Sequence, residues 1–243
     1  MFKLTFSPAS PYVRKVLLSA YRAGIQDELE LVEAGSENDT LLRGKNPLGK
    51  IPVLQKPDGD FLFDSRVIVD HFNKLGGGLI PENGSERDII LSRSALAEGL
   101  TDASLLVVYS ERYAGGETPS KLWLDLQLSK INKTLDFLEI DIINWSNPKG
   151  FDAANIALAT ALDYMSFRNV RDWKSNRPKI SQWFNNVSLK LLGFAKTAAF
   201  YLIIFLVLGY TFISLTVTPF IRKATRQRIV LESEINKIMT ESI

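Results

Sequence analysis

Two hydrophobic periods alternate along the first 75 residues and predict strands and helices in a definite order. Val13, Val16, Leu17 and Ala20 repeat at i, i+3, i+4 and i+7, the spacing of a helix that buries one face. Short apolar or alternating stretches between turn residues are typical of strands. The predicted strands are Phe2–Phe6, Glu28–Val32, Ile51–Gln55 and Phe61–Phe63. The predicted helices start at Pro11, Glu37 and Ser65, which gives the order βαβαββα.

Capping and turn residues support this order. Ser10 suits the N-cap and Pro11 the first position of the first helix, and Gly24 suits its C-terminal stop. The segment Lys56-Pro57-Asp58-Gly59-Asp60 reads as a hairpin turn between the last two strands. The Glu28–Val32 alternation predicts a half-buried strand.

The chain changes character after residue 75. Residues 76–84 are rich in glycine and read as a linker. Beyond them the strand signal fades, and helical patterns cover about 86–113, 120–144, 153–168 and 178–189. The fold class is therefore α/β plus all-α: an α/β domain at 1–75 followed by an all-helical domain at 85–189.

A third pattern begins after residue 189. Residues 197–221 form 25 consecutive positions without a charge, and about 20 apolar residues suffice to cross a bilayer as a helix. We therefore predict a transmembrane helix at 197–221; the alternative is a buried core helix. The spacing of apolar residues in 222–243 predicts an amphipathic helix, which pairs with a partner, lies on a membrane surface or extends the span. A fusion or reading-frame error near residue 188 is a further explanation of this tail.

The amino-acid composition excludes several classes of protein, site and partner. The 243 residues are 46% hydrophobic and 23% charged, which excludes disordered and collagen-like classes. No cysteine is present, so a thiol nucleophile and a zinc–thiolate site are excluded, and a single histidine argues against a histidine-rich metal centre; we expect no metal. The net charge of +2 is too small to indicate a nucleic-acid partner. That charge is uneven: residues 1–189 hold 22 Lys+Arg against 24 Asp+Glu, and residues 190–243 hold 7 against 3.

Three segments in the α/β domain carry candidate chemistry. Ser10 lies where a strand gives way to a helix, and the unpaired N–H groups there stabilise an anion such as a thiolate. Pro52 opens an apolar strand within Asn46-Pro47-Leu48-Gly49-Lys50-Ile51-Pro52-Val53-Leu54, and strand edges of this kind receive extended peptides. Asp64 and Ser65 open the next helix. For Ser10 and Asp64, the plainer interpretation is an ordinary helix cap.

Together these segments resemble the N-terminal domain of glutathione S-transferases, which have the thioredoxin fold. The stretch NPLGKIPVL followed by DGDFLFDSRVI is close to the signature of the bacterial serine-type enzymes. The resemblance covers about residues 1–189. Within the helical domain, residues 151–157 lie where the family has an N-capping box that opens a core helix. Asn155 replaces the family's usual Asp, so we expect a weaker box in which Asp152 still caps the helix.

The resemblance implies glutathione as co-substrate and a defined set of binding residues. Ser10 would donate a hydrogen bond to the glutathione sulfur and lower the pKa of the thiol. The segment Ile51-Pro52-Val53, with Pro52 in the cis form, would align the peptide backbone. Asp64 and Ser65 would hold the γ-glutamyl end, and Lys50 the glycyl carboxylate. Many relatives have Glu in place of Asp64.

The reaction implied is conjugation of the glutathione thiolate to a small apolar electrophile. The electrophile site should lie between the two domains, and its candidate wall residues are Tyr109, Tyr113, Trp123, Tyr164 and Phe167, which are otherwise core residues. His71 is expected to be structural. The resemblance also implies a homodimer. With no signal peptide, we expect a cytoplasmic enzyme anchored to a membrane, the inner membrane in a bacterium. The alternative is a non-catalytic module that binds glutathione or a partner, or a membrane scaffold.

Overall fold

A four-stranded sheet forms the first layer of the fold. The computed structural model describes residues 1–35, 40–115, 118–145 and 150–194. Strand β1 pairs in parallel with β2 and antiparallel with β3, and β3 pairs antiparallel with β4, in the order β2–β1–β3–β4. The strands are β1 (Phe2–Phe6), β2 (Leu29–Glu33), β3 (Val53–Gln55) and β4 (Phe61–Leu62). The four predicted strands occur in the predicted order along the chain, and the third and fourth are shorter than predicted.

Three helices complete the sheet domain: α1 (Pro11–Arg22), α2 (Thr40–Lys45) and α3 (Ser65–Gly76). Helix α1 begins at Pro11 after Ser10, as predicted, and Gly24 follows it with a φ of +73°, a conformation that glycine adopts without steric cost. Helix α2 is described from Thr40, and its predicted start at Glu37 lies outside the described residues.

One burial prediction is wrong. No residue of β2 is fully buried, and Leu31 is 47% exposed. The strand lies at the edge of the sheet, with a neighbour on one side only. An edge position leaves more of each side chain open to solvent than the alternating pattern suggests.

Helices alone build the second part of the fold. They are α4 (Gly84–Arg112), α5 (Lys121–Asp141), α6 (Ala153–Phe167) and α7 (Pro178–Phe194), close to the predicted ranges. Helix α6 is almost entirely buried and packs against α4 and against α1 of the sheet domain. A helix that is apolar on every side belongs in the centre of a fold.

The start of α6 confirms the cap at Asp152. Its Oδ1 accepts a hydrogen bond from the Asn155 N–H at 2.9 Å. The Asn155 amide donates instead to the carbonyl of Trp145, also at 2.9 Å. Asn155 thus ties the helix to the preceding turn.

Residues Met1–Leu189 form one compact unit. Within the described ranges, every helix is too short or too polar to cross a membrane. The predicted span at 197–221 and the tail at 222–243 lie outside the described residues.

Candidate functional site

The three candidate segments meet at one end of the sheet. Strands β1 and β3 are antiparallel with Thr5 opposite Val53, so the end of β1 lies beside the start of β3. Strands β3 and β4 are antiparallel with Leu54 opposite Leu62, so the end of β4 lies there too. The turn carrying Ser10, the Pro52 segment and the Asp64 segment follow or precede these strand ends. The sheet therefore brings together what the sequence separates by more than 50 residues.

Ser10 is the N-cap of α1. Its Oγ accepts a hydrogen bond from the Val13 N–H at 3.3 Å, and its own N–H donates to the carbonyl of Ser7 at 3.1 Å. A serine hydroxyl accepts through its lone pairs and retains one proton to donate. The half-buried side chain can therefore cap the helix and donate to a ligand at once.

The loop before β3 is fixed by a buried asparagine. The Asn46 amide donates to the Lys50 carbonyl at 2.8 Å, and its Oδ1 accepts from the Leu48 N–H at 3.1 Å. The peptide bond between Ile51 and Pro52 is cis, which confirms that prediction. Pro52 and Val53 are buried, Ile51 is half-buried and Lys50 is exposed.

Asp64 and Ser65 open α3. The Asp64 Oδ1 accepts from the Arg66 N–H at 2.9 Å, so Asp64 is the N-cap. Asp64 is exposed and Ser65 is buried at 3%. The helix N-terminus supplies unpaired N–H groups and the positive end of the dipole beside this carboxylate.

A series of ion pairs that the sequence analysis did not predict connects Asp64 to α4 and α1. Arg66 Nε lies 3.4 Å from Asp64 Oδ2 and 3.0 Å from Oε2 of Glu98, on α4. Glu98 also pairs with Lys15 of α1, and both residues are buried. Burial lowers the pKa of Lys15, and the neighbouring Glu98 carboxylate acts against that shift. The signal in the sequence was the spacing of Glu98 with Ala97, Leu100 and Thr101 on the inner face of α4.

Two further contacts of α1 join the first turn of this helix to the helical domain. The Tyr12 hydroxyl donates to Asp102 of α4, and Arg14 pairs with Asp163 of α6. Burial raises the pKa of Tyr12, and the hydrogen bond to Asp102 and the nearby Glu98 and Tyr164 act in the same direction. Ser10 therefore lies next to a junction of α1, α4 and α6.

Four of the five candidate wall residues gather at the C-terminal ends of α4 and α6. The Tyr109 and Tyr113 rings lie edge to face with their centroids 5.2 Å apart. Burial raises the pKa of Tyr164, and nearby Tyr109 raises it further. Phe167 is one turn further along α6. The core alternative holds for Tyr164, which is 3% exposed, and is wrong for Tyr113 and Phe167, each 55% exposed. Among contacts of the described residues, none joins Trp123 to this group.

His71 lies away from this end. Its ring packs edge to face on Phe2, at the start of β1, with centroids 5.7 Å apart. The strand runs five residues from Phe2 to Phe6, which separates its two ends by about 13 Å. This position suits a packing role.

Comparisons with known proteins show which family this chain resembles. The glutathione S-transferase N-terminal domain family matches residues 4–78. An uncharacterised GST-like protein of Escherichia coli K12, YibF, is 32% identical over 190 residues, which cover 76% of this chain and 93% of that protein.

Solved structures give the same result. A glutathione transferase family member from Pseudomonas fluorescens Pf-5 with bound glutathione is 38% identical, with a TM-score of 0.73 over 77% of this chain and 94% of that one. A structure with bound S-(propanoic acid)-glutathione, from the same organism, is 37% identical, with a TM-score of 0.69 and the same coverage.

Proposed function

The chain belongs to the glutathione S-transferase family, and from that premise we propose that it binds glutathione and transfers the thiolate to a small apolar electrophile. The observation that carries the proposal is the meeting of Ser10, Pro52 and Asp64 at one end of the sheet. The relatives from Pseudomonas fluorescens, bound to glutathione and to a glutathione with a substituted sulfur, support the same ligand here.

Each end of glutathione has a complementary group in this site. The Asp64 carboxylate would pair with the ammonium of the γ-glutamyl residue, and Ser65 with the α3 N-terminus would hold its carboxylate. The backbone of Ile51-Pro52-Val53 would align the central peptide, and Lys50, which is exposed, would meet the glycyl carboxylate. Arg66 would keep its guanidinium beside the glutamyl carboxylate because its ion pair with Glu98 fixes the position of the guanidinium.

Ser10 would act on the sulfur and not as a nucleophile. Its hydroxyl proton would donate to the thiolate, adding to the field of the α1 N-terminus. A free thiol has a pKa near 8.5, and each unit of depression corresponds to about 1.4 kcal/mol of preference for the thiolate. The thiol proton leaves to solvent, the sulfur forms a bond to the electrophilic carbon, and the leaving group departs with its electron pair. Because the chain has no cysteine, a disulfide with glutathione is excluded.

Retention on immobilised glutathione, combined with turnover of a chromogenic electrophile, tests the proposal. Retention with turnover is expected. Retention without turnover would favour the non-catalytic binding module, and loss of retention would contradict both interpretations.

The role of Ser10 has its own test. The pKa of the bound thiol, read from the ultraviolet absorbance of the thiolate, should rise by about one unit or more in Ser10→Ala. Ser10→Thr keeps the hydroxyl and should keep most of the shift. Ser7→Ala, in the same turn, is the matched control, because Ser7 contributes its carbonyl to Ser10. An unchanged pKa in Ser10→Ala would remove Ser10 from this role.

We also propose membrane anchoring through 197–221, from its uncharged stretch, and a homodimer, from the family resemblance. We expect the full chain to enter the membrane fraction and a chain truncated at Ser188 to leave it. A full-length chain that stays in solution without detergent would refute the anchor. Sedimentation of the truncated chain would measure its oligomeric state, for which we expect a dimer.

A further inference from the structure

Two arginines stand among the aromatic residues at the ends of α4 and α6. The Arg168 guanidinium carbon lies 4.6 Å from the Phe167 ring centroid and 5.9 Å from that of Tyr164, and that of Arg112 lies 5.4 Å from that of Tyr109. We call this group the arginine–aromatic cluster, and its members are Tyr109, Arg112, Tyr113, Tyr164, Phe167 and Arg168.

Both guanidinium groups lower the pKa of the same buried tyrosine, Tyr164. Burial raises the pKa of Tyr164, while Arg168 first, and Arg112 after it, act in the opposite direction. Arg112 lies over Tyr109 on α4 and Arg168 over Tyr164 on α6, and these two helices pack against each other. Tyr113 and Phe167 are each 55% exposed beside them.

The cluster is joined through neighbouring residues to the first turn of α1, which Ser10 caps. Arg14 pairs with Asp163, which places the neighbouring Tyr164 by the first turn of α1. Tyr164 also contributes to the raised pKa of Tyr12. Asp102, which accepts the Tyr12 hydrogen bond, precedes Arg112 by ten residues, or about 15 Å along α4. A negative charge on a ligand would therefore avoid Asp102 and lie toward Arg112 and Arg168.

We propose that the arginine–aromatic cluster receives the electrophile and selects a planar one that carries a carboxylate, which Arg168 and Arg112 bind. This inference rests on the proposed transfer reaction and specifies its substrate class. Aromatic faces stack on a flat apolar ring, and guanidinium groups bind carboxylates through paired hydrogen bonds.

A halonitrobenzoate illustrates the step. The glutathione thiolate adds to the ring carbon that bears chlorine, the carbon–sulfur bond forms, and chloride leaves with the electron pair of the broken bond. The thiol proton has already passed to water. The carboxylate takes no part in bond making and serves only for recognition.

A plainer role for both arginines is stabilisation of helix ends. Arg112 is the last residue of α4 and Arg168 is the C-cap of α6, where positive charges interact favourably with the helix dipole. That role affects stability and treats neutral and anionic ligands alike. Discrimination between two such ligands therefore separates the roles.

The test compares the full chain's affinity for two glutathione conjugates that differ by one carboxylate and by the position of one nitro group. They are S-(2,4-dinitrophenyl)glutathione and S-(4-carboxy-2,6-dinitrophenyl)glutathione, with binding measured by calorimetry. We expect the carboxylated conjugate to bind about tenfold more tightly or better, as for a charge-assisted hydrogen bond. Arg168→Gln should remove most of that advantage and leave the affinity for unmodified glutathione unchanged.

Two further variants keep the result interpretable. Arg112→Gln should reduce the advantage independently, in case Arg168→Gln does not fold. Arg93→Gln is the matched control: it removes a guanidinium stacked on Trp145 from the same helix, 19 residues or about 28 Å from Arg112, and should keep the full advantage.

Kinetics with 1-chloro-2,4-dinitrobenzene and 4-chloro-3,5-dinitrobenzoate extend the comparison. The kcat/KM for 4-chloro-3,5-dinitrobenzoate divided by that for 1-chloro-2,4-dinitrobenzene, each corrected for the uncatalysed rate, should fall in Arg168→Gln. Equal affinity of the wild type for the two conjugates, or equal weakening of both in the variants, would overturn the substrate class while leaving glutathione transfer intact. Failure to bind glutathione at all would instead remove the proposed function.

Discussion

Lys15 of α1 and Glu98 of α4 form an ion pair whose side chains are only 5% and 9% exposed. The pair joins the sheet domain to the helical domain behind the candidate site, and Glu98 extends it to Arg66. Removing one partner of such a pair leaves a buried charge uncompensated, whereas replacing both with apolar residues of similar size is often tolerated.

Glu98→Gln should therefore lower the free energy of unfolding by about 3 kcal/mol, measured by denaturant titration. The double variant Lys15→Met/Glu98→Leu is the control and should recover most of the loss. If the single variant unfolds within about 0.5 kcal/mol of the wild type, as a surface substitution would, the pair does not hold the domains together.

His71 should titrate below its ordinary pKa of about 6.5. Burial is the main cause of its lowered pKa, and Lys56 and Lys74 add to the shift. Between the folded pKa and the unfolded value, the unfolded chain binds the proton and the folded chain does not. The stability contribution is therefore complete above pH 6.5 and falls as the pH drops through this window.

The measurement is direct because the chain has a single histidine, so its ring proton resonance needs no assignment. His71→Gln should remove the corresponding pH dependence of unfolding between neutral and mildly acidic pH. A folded pKa at or above the ordinary value would contradict the burial of this ring against Phe2.

The first turn of α7 should depend on one carboxylate from α5. Glu139 accepts from the Lys179 N–H at 2.9 Å and from the Ile180 N–H at 3.0 Å, so it satisfies two amides at the helix start. Glu139→Ala should cost about 1 kcal/mol of stability, as loss of an N-cap does, measured by thermal unfolding. Glu139→Gln retains an acceptor oxygen and should lose less; equal losses would show that hydrogen bonding is not the cause.

Gly76 should not tolerate a side chain. A Cβ at this last residue of α3 would lie 1.8 Å from the carbonyl oxygen of Ala23, so α3 or the end of α1 must shift. Gly76→Ala should lower the free energy of unfolding by about 1–3 kcal/mol, the range seen for overpacking.

Gly99 provides the comparison. It lies within α4, is exposed, and a Cβ there meets nothing within 4 Å. Gly99→Ala should stabilise the protein by up to about 1 kcal/mol, because alanine is the better helix former. If both substitutions have the same sign, the close approach of α3 to Ala23 is not the reason for Gly76.

Local rules account for much of what the sequence predicted. Ser10 and Pro11 start α1, Asp152 starts α6, and the Lys56–Asp60 turn joins β3 to β4, because caps and turns depend on neighbouring residues. Strand β2 departs from its pattern because burial depends on whether a second strand covers it, which no local rule contains.

The candidate site divides in the same way. The sequence by itself determined that Ser10, Pro52 and Asp64 each lie at the start of an element, and its lack of cysteine excluded a thiol group of the chain itself. Only the tertiary structure decided that those starts share one end of a sheet, that Glu98 lies between Lys15 and Arg66, and that the helices carrying Arg112 and Arg168 pack together. These contacts join residues tens of positions apart, and they arise from strand pairing and helix packing, which no local stretch of sequence specifies.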